Sequence, residues 1–298
     1  MVQFDYVVMS CADATDLHDY ELRELAERVA PLIDAVRRRG DDALPHAGLA
    51  LTGRDIQRCV GALPPNVIDD LRLAQDRMRR FAETQRAAIC DFETEALPGV
   101  RCGVRHVAIA SVGVCLSAEP DGLSLQVAQA AIIAARAAGA ERVVACAPPA
   151  GDRPGALLVG SLALAGAEEI YLVGGVRALA ALTFGTESIP RVETVIAPDG
   201  GDEALAEARR QLAAMTGTGR LRPGILILAD DEADPDLVAA DLISAHGCGR
   251  GARGVLITTS PVLGARVSGA VERQLDLLPR GDEAARSWLE RGTIRLAA

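Results

Sequence analysis

Short apolar runs alternate with longer helical segments through most of the chain, from residue 107 to residue 277. Runs such as Arg142–Cys146 and Ile225–Ala229 have the length of single strands and contain almost no polar residue. The segments between them run to about ten to fifteen residues, which is typical of the helices in βαβ units. This alternation predicts an α/β fold with mainly parallel sheets and flanking helices.

The pattern predicts the individual elements as follows. The predicted strands are Val107–Val114, Arg142–Cys146, Glu169–Val173, Val192–Ile196, Ile225–Ala229 and Gly254–Thr258. The predicted helices are 20–40, Asp55–Val60, Asn66–Thr84, Leu125–Ala138, Ala156–Ala165, Val176–Leu182, Asp202–Met215, Pro235–Ile243 and Val262–Leu277. The apolar residues of segment 20–40 recur at helical spacing, which indicates an amphipathic helix that ends at Gly40.

Amino-acid composition indicates which residue types form the core and in which cellular compartment the protein is expected. The 298 residues are 49% hydrophobic but only 3% aromatic, so Ala, Leu, Val and Ile must form the core. No apolar run has the 18 or so residues that a membrane span needs. The N-terminus has no basic stretch typical of a signal peptide, and the seven scattered cysteines form no CxxC motif. We therefore expect a cytoplasmic protein with free thiols.

Charge and residue usage exclude several function classes. The net charge of −10 argues against nucleic acid and against an anionic membrane as partners, because both attract basic surfaces. The chain contains no lysine, all 31 basic residues being arginine. A lysine Schiff base, and with it pyridoxal phosphate chemistry, is excluded, as is a P-loop lysine.

A series of collinear motifs gives the chain a family resemblance. The most informative is GGVRALAALTFGTESIP at 174–190, where a strand pattern leads through two glycines into a helix. The others are RRRGDDAL (37–44), PGVRC (98–102), ASVGV (110–114), ERVVACAPP (141–149), ILILADDEADPDLVAADLIS (225–244) and VERQLDLLPR (271–280). In this order and spacing they resemble histidinol dehydrogenases, the zinc- and NAD-dependent enzymes that oxidise L-histidinol to L-histidine in two steps.

The resemblance implies a domain organisation. Residues 1–107 with 223–298 are expected to form one discontinuous Rossmann-like unit. Residues 108–222 are expected to form a second unit, inserted in the first and similar to the NAD-binding domain of the family. The chain ends at RGTIRLAA, where members of the family continue. We therefore expect it to lack the family's Glu-His acid and base, its remaining zinc ligands and its C-terminal dimerisation segment.

The nucleotide-binding turns of the family are altered in this sequence. Its Tyr-Val-Pro-Gly-Gly turn aligns with Cys115–Glu119, which places Ala118 and Glu119 where glycines approach the pyrophosphate. A carboxylate there repels phosphate. In the Gly-Gly-Ala-Gln turn, Gly174 and Gly175 are retained while Arg177 replaces the amide. Two further turns read Ala197-Pro198-Asp199-Gly200 and Leu221-Arg222-Pro223-Gly224.

The zinc ligands are altered as well. The family has Gln and His three residues apart, and in direct register these positions hold Ala245 and Cys248. A shift of one residue matches His246 and Gly249 instead. Neither register restores both ligands, so we predict no metal and no NAD cofactor.

Several candidate residues keep more than one interpretation. Cys115 ends a strand at a position where ligands bind, or it is a small buried core residue. Arg177 binds an anionic ligand, or it pairs internally with Glu119 or Asp199. His246 and Cys248 form a soft-metal pair or a nucleophile with its base, or they are incidental loop residues.

These replacements lead to a functional hypothesis with two alternatives. The chain is expected to have lost zinc- and NAD-dependent oxidation and to bind or transform a small polar metabolite. The candidate catalytic residues are Cys115, Glu119, Asp121, His246 and Cys248, and the candidate ligand-binding residues are Gly174, Gly175, Arg177 and Asp199. One alternative is a non-catalytic scaffold or regulatory partner of another enzyme. The other is a residual NAD-dependent oxidoreductase with an altered substrate. Self-association and a protein partner are both left open.

Overall fold

A computed structural model describes residues 11–45, 50–117, 122–149, 155–197, 202–216, 224–247, 253–278 and 281–297. The chain divides into two compact units, Met1–Ala214 and Met215–Ala298. The helices are α1 (Cys11–Arg39), α2 (Gly53–Gly61), α3 (Pro65–Ala87), α4 (Gly122–Ala137), α5 (Ala156–Ala165), α6 (Gly175–Phe184), α7 (Glu203–Thr216), α8 (Pro235–Gly247), α9 (Pro261–Leu277) and α10 (Gly281–Arg291), with a 3₁₀ turn at Gly40–Ala43. The strands are β1 (Phe92–Leu97), β2 (Val100–Val104), β3 (Ser111–Cys115), β4 (Arg142–Ala147), β5 (Glu169–Leu172), β6 (Thr194–Ile196), β7 (Gly224–Ala229), β8 (Arg253–Thr258) and β9 (Thr293–Leu296).

The first unit is built on a four-stranded parallel sheet in the order β5-β4-β3-β6. Buried side chains of α1, α6 and α7 pack on one face of this sheet. Those of α4 and α5 pack on the other face, with α2 and α3 packed outside them. Both faces are covered, as the nearly continuous apolar strand sequences require. The predicted α/β class with parallel sheets and flanking helices is confirmed.

The amphipathic N-terminal helix attaches to this sheet through one stripe. Val29, Ile33 and Val36, which lie on one face of α1, are almost completely buried in the same cluster as residues of α6. The segment after α1 joins the sheet directly, because the N–H of Leu51 donates to the carbonyl oxygen of Ile170 at 2.9 Å. Burial of these apolar faces places α1, α2 and α3 with the sheet of residues 111–196.

The division into compact units therefore differs from the predicted domains. The prediction groups 1–107 with 223–298 and separates 108–222. The contacts instead group α1, α2 and α3 with β3–β6, and they place the boundary at residues 214 and 215. The physical reason is side-chain packing: the apolar face of α1 is buried against α6, Cys59 and Ile56 of α2 pack towards α5, and α3 packs on α4 through buried Gln75 and partly buried Met78.

Residues 92–104 form a β-hairpin that the sequence analysis does not predict. Strands β1 and β2 pair antiparallel around a turn at Pro98 and Gly99, and Gly99 has φ of 80°. Proline followed by a residue with positive φ fits a type II turn. Every residue of both strands is exposed.

The second unit contains a three-stranded parallel sheet in the order β7-β8-β9. Helices α8 and α9 cover one face, where buried Leu242 of α8 and Val267 of α9 pack in the same cluster as Leu256 of β8. Leu226 and Leu228 point to the opposite face and are 61% and 71% exposed. Helix α10 and strand β9 are additions to the predicted pattern. None of the helices in the described ranges is long and apolar enough to cross a membrane.

Candidate functional site

The order of strands in the first sheet locates a candidate ligand crevice. From β3 the chain continues to β4 and β5 on one side, whereas β6 lies on the other side of β3. In open α/β sheets, ligands bind at the carboxyl ends of the strands where the order reverses in this way. The loops that flank this point begin at Leu116, after β3, and at Ala197, after β6. Both turns are among those that the sequence analysis singles out as candidate ligand-binding positions.

Cys115 lies at this edge but is directed into the core. Its side chain is fully buried, and its Sγ lies 3.5 Å from the carbonyl oxygens of Leu116 and Gly175. Burial raises the pKa of the Cys115 thiol, and the nearby Asp202 carboxylate raises it further. A thiolate is the nucleophilic form of cysteine, so this environment favours the interpretation of Cys115 as a core residue.

The neighbouring strand carries a second thiol of the same kind. Cys146 of β4 is the direct register partner of Cys115 and is also fully buried. Burial raises the pKa of the Cys146 thiol as well. Both thiols pack in the same apolar cluster as α1 and α6.

The two glycines between β5 and α6 make close contacts with neighbouring loops of the protein. A Cβ at Gly174 would lie 2.9 Å from the carbonyl oxygen of Ser117 and 3.0 Å from Cβ of Pro148. Gly175 has φ of 66°, and its N–H donates to the carbonyl oxygen of Leu116 at 2.8 Å. The pair therefore holds the loops after β3, β4 and β5 together. The Gly175 N–H is engaged in this contact, so it is not free to bind a phosphate.

Arg177 is the member of the predicted set that faces solvent. It lies in the first turn of α6 and is exposed. Within the described part of the chain, its guanidinium has no hydrogen-bond or ion-pair partner. Helix α6 begins at Gly175 without a side-chain cap, so its first N–H groups and its dipole favour an anion beside this arginine. The predicted internal partners Glu119 and Asp199 lie outside the described residues.

The remaining predicted residues are located only in part. Asp121 and Cys248 also lie outside the described residues, and His246 is placed only as a backbone position in the last turn of α8. The structure therefore brings together Cys115, Gly174 and Gly175, with Arg177 one turn away. Among the residues that the structure describes, no group of three His, Cys, Asp or Glu side chains is arranged to hold a metal ion.

Asp202 belongs to this edge and was missed by the sequence analysis. Its Oδ1 accepts the N–H of Leu205 at 3.0 Å, which caps the start of α7 after the β6 loop. Its carboxylate is also close enough to raise the pKa of Cys115. The sequence signal was present, because aspartate directly before a helical run is a typical N-cap. It adds negative charge on the β6 side of the crevice.

The comparison with protein families decides the relationship. Residues 17–298 match the family model described as histidinol dehydrogenase. The chain belongs to the histidinol dehydrogenase family. The predicted resemblance is confirmed.

The relatives that it matches are longer than this chain. It is 37% identical over 284 residues to histidinol dehydrogenase homolog 1 of Mesorhizobium japonicum, covering 91% of this chain and 56% of that protein. It is 36% identical over 287 residues to the histidinol dehydrogenase homolog of Shouchella clausii, with coverage of 92% and 66%. The histidinol dehydrogenase of Agrobacterium fabrum is 35% identical over 292 residues, with the same coverage. The chain thus spans less than two thirds of the length of these family members.

A solved structure supports the fold. The crystal structure of histidinol dehydrogenase from Elizabethkingia anophelis aligns with a TM-score of 0.57 at 24% identity. The alignment covers 94% of this chain and 69% of that one. At this identity the likeness establishes the α/β architecture.

Proposed function

We propose that this member of the histidinol dehydrogenase family binds a small anionic metabolite at the carboxyl edge of the β5-β4-β3-β6 sheet, without NAD or zinc. The observation that carries the proposal is the exposed Arg177 on the first turn of α6, beside a glycine pair whose contacts are already filled. A guanidinium at a helix N-terminus suits a carboxylate or phosphate, which it contacts through two N–H groups.

The loss of NAD is supported by one engaged backbone amide and by two acidic residues. The Gly175 N–H donates to Leu116, so this amide does not serve a pyrophosphate. The sequence also places Glu119 in the turn after β3, where family members carry glycine. Asp202 adds a further carboxylate on the β6 side. A glutamate at position 119 of the sequence and the Asp202 carboxylate would oppose the two phosphates of a dinucleotide more strongly than the single anionic group of a small ligand that Arg177 contacts.

The loss of zinc-dependent oxidation is supported by the ligand positions. Neither register of segment 244–249 restores the family's Gln and His pair. Closed zinc sites need four ligands and catalytic sites three from the protein. The fully buried Cys115 thiol, with its raised pKa, is unsuited to replace such a ligand or to act as a nucleophile.

Calorimetric titration tests the cofactor part of the proposal. We expect NAD⁺ to bind no more tightly than about 1 mM, which corresponds to roughly −4 kcal/mol. Zinc content of the purified chain, measured by mass spectrometry, is expected to be far below one ion per chain. Submillimolar NAD⁺ binding with reduction of the nicotinamide on addition of histidinol would overturn the proposal in favour of a residual oxidoreductase.

The anion site has its own test. Pyrophosphate and a set of small carboxylates are titrated against the chain and its Arg177→Ala and Arg54→Ala variants, followed by thermal unfolding. Arg54 is also exposed and has no ion-pair partner in the described part of the chain, which makes it the matched control. We expect Arg177→Ala to weaken binding at least about tenfold, the loss of one bidentate contact, and Arg54→Ala to leave it unchanged. Equal effects of the two variants would contradict the assignment.

A scaffold or regulatory role is the second candidate function. It is favoured by Leu226 and Leu228, which are exposed on one face of the β7-β8-β9 sheet. Parallel sheets almost always have both faces covered, so this face suits a partner polypeptide. Light scattering of the chain with candidate partners tests this role. Leu228→Asp should abolish a complex that Arg54→Ala leaves intact, and a chain that stays monomeric with every partner would count against it.

A further inference from the structure

Strands β8 and β9 form a groove on the sheet face that α8 and α9 do not cover. Leu256 of β8 packs in the same cluster as these two helices, so its neighbours Val255 and Ile257 point to the opposite face. Their register partners on β9 are Thr293 and Arg295, which therefore lie on the same face. We call this cavity the β8–β9 groove; it has a volume of about 400 Å³ and is lined by Arg253, Val255, Ile257, Thr293 and Arg295, together with the end of α10. A cavity of this size fits a small molecule.

Two arginines lie at the two ends of the groove. Arg253 precedes Val255 by two residues, and Arg295 follows Thr293, the register partner of Val255, by two residues. Their Cα atoms are therefore separated by roughly 13 Å along the strand direction. Both arginines are exposed, and neither has a hydrogen-bond or ion-pair partner among the residues that the structure describes. The groove thus offers a ligand two guanidinium groups, one at each end.

The charges of the groove indicate the charge of its ligand. At the end of α10, Arg291 pairs with Glu290 at 3.0 Å, so these two side chains add no net charge. The guanidinium groups of Arg253 and Arg295 remain, and a ligand with two anionic groups neutralises both. The chain as a whole has a net charge of −10, which repels anions from most of its surface. A dianion is therefore favoured at this groove over other parts of the surface.

The floor between the two arginines is apolar. Val255 and Ile257 are half-buried and lie between them along β8. The register partners of these residues on β7 are Leu226 and Leu228, which extend the apolar surface. Hydroxyl or amide groups of a ligand would lose hydrogen bonds to water on such a floor, whereas methylene groups would not. The middle of the ligand is therefore expected to be a short hydrocarbon chain.

We propose that the β8–β9 groove binds an aliphatic dicarboxylate. One carboxylate contacts Arg253, the other contacts Arg295, and the methylene chain between them packs on Val255 and Ile257. A guanidinium group binds a carboxylate through two parallel hydrogen bonds, which is the strongest contact that an exposed arginine makes with such an anion. The groove lies within the second compact unit and shares no residue with the site proposed at Arg177.

An NMR titration of the isotope-labelled chain with adipate tests the proposal. Every protein in the experiment carries Arg177→Ala, so failure of this proposal is distinguishable from failure of the anion site proposed in the first unit. The control ligand is hexanoate, which has the same carbon chain and a single carboxylate. At low ionic strength we expect adipate to bind with a dissociation constant of about 1 mM or lower, and hexanoate at least about tenfold more weakly, because one of the two charge-assisted contacts is lost.

Two variants remove the two ends of the site separately. Arg253→Ala and Arg295→Ala should each weaken adipate binding at least about tenfold and reduce its affinity to that of hexanoate. The matched control is Arg266→Ala, because Arg266 is exposed on α9 of the same unit and has no ion-pair partner in the described ranges. It should change the affinity less than about twofold, since an isolated surface charge contributes little at a distance in salt. All three arginines are exposed, so their replacement leaves the core of the unit intact.

The positions of the chemical-shift changes give an independent readout. Adipate should shift amide signals of β8, β9 and the end of α10, and the signals of the β5-β4-β3-β6 sheet should stay unchanged. Equal affinities of adipate and hexanoate would overturn the proposal, as would a loss of binding in Arg266→Ala as large as in Arg295→Ala. Inorganic phosphate is the third probe. If it binds as tightly as adipate, the groove is a simple anion site and the assignment to a dicarboxylate is wrong.

Discussion

The backbone N–H of Gly175 donates a 2.8 Å hydrogen bond to the carbonyl oxygen of Leu116. This hydrogen bond connects the start of α6, which follows β5, to the residue that follows β3. Strand β4 lies between β5 and β3 in the sheet. In this protein the glycine pair therefore connects the loops after β3, β4 and β5.

Replacing Gly174 with alanine should destabilise the chain by about 1–3 kcal/mol, as small-to-large changes in packed sites do. The added Cβ would lie 2.9 Å from the Ser117 carbonyl oxygen, and the backbone there cannot move without breaking the loop contacts. Urea unfolding followed by circular dichroism measures the change. Gly53→Ala is the control, because nothing lies within 4 Å of the added atom. Equal stability of both variants would mean that the loops around Gly174 move to accommodate the added Cβ.

Gln75 should be important for joining the helices on the α4 and α5 side of the sheet. Its Nε2 donates to Oε1 of Gln129 at 2.7 Å and to the carbonyl oxygen of Ser161 at 3.0 Å, and the side chain is buried. Gln75→Leu leaves these acceptors without a donor and should cost about 1–3 kcal/mol.

The control for this prediction is Gln85→Leu on the exposed face of the same helix, which should have little effect. A double variant with Gln129→Leu tests the pairing itself. Its loss of stability should fall short of the sum of the single losses by at least about 0.5 kcal/mol. Strict additivity would show that the two side chains act independently.

The thiol of Cys115 should resist modification while the protein is folded. Burial raises its pKa and removes it from solvent, so an alkylating reagent at about pH 8 reacts with it only after unfolding. Exposed Cys90 and Cys102 serve as internal controls and should react at once. Peptide mass spectrometry after timed labelling distinguishes the sites. Rapid labelling of Cys115 in the native chain would restore it as a candidate nucleophile.

Glu169 should make the stability of the first unit depend on pH. Arg142 donates to both of its carboxylate oxygens, at 2.6 and 2.8 Å, and this pairing lowers the pKa of Glu169. The hydroxyl of Tyr171 adds a third hydrogen bond at 3.0 Å. A lowered folded-state pKa stabilises the protein above the unfolded-state value of about 4.3, and the effect is lost as the pH falls through the folded-state value.

Glu169→Gln measures this contribution. Because both partners are about one third exposed, solvent screening limits the expected loss at pH 7 to about 1 kcal/mol. The difference between the two proteins should shrink below about pH 4, where the wild-type carboxylate also becomes protonated. Glu83→Gln, on the exposed face of α3, is the control and should match the wild type throughout. A difference that persists unchanged at about pH 3 would assign the effect to packing.

Local sequence patterns predicted most elements of the fold. The strands β3 to β8 and the helices α2 to α9 appear where apolar periodicity placed them, with shifts of a few residues at their ends. Helix α1 ends close to its predicted end but begins at Cys11, nine residues before its predicted start. The hairpin was missed although Pro98 and Gly99 form a turn signal between alternating residues. The charged residues of the hairpin and the bulge in β1 interrupt the alternation of apolar and polar residues that identifies a strand. Strand β9 was missed because its four residues are too short to show a period.

The sequence predicted that Cys115, Gly174, Gly175 and Arg177 lie near one another, because strand ends and turns can be located in the linear chain. The structure brings these residues together, and their role in ligand binding stays a prediction. Whether a given side chain points into the core or to solvent depends on the neighbouring strand and loop. For that reason Cys115 and Arg177 were left with two interpretations each.

The sequence by itself determined the α/β class and the family, because these depend on residue type and spacing along the chain. Only the tertiary structure decided that α1, α2 and α3 belong to the unit built on the β5-β4-β3-β6 sheet, that the glycine pair contacts Leu116, Ser117 and Pro148, and that both strands of the β1–β2 hairpin are exposed. These are contacts between residues far apart in sequence. Their free energy depends on which apolar surfaces meet, and local patterns do not specify that.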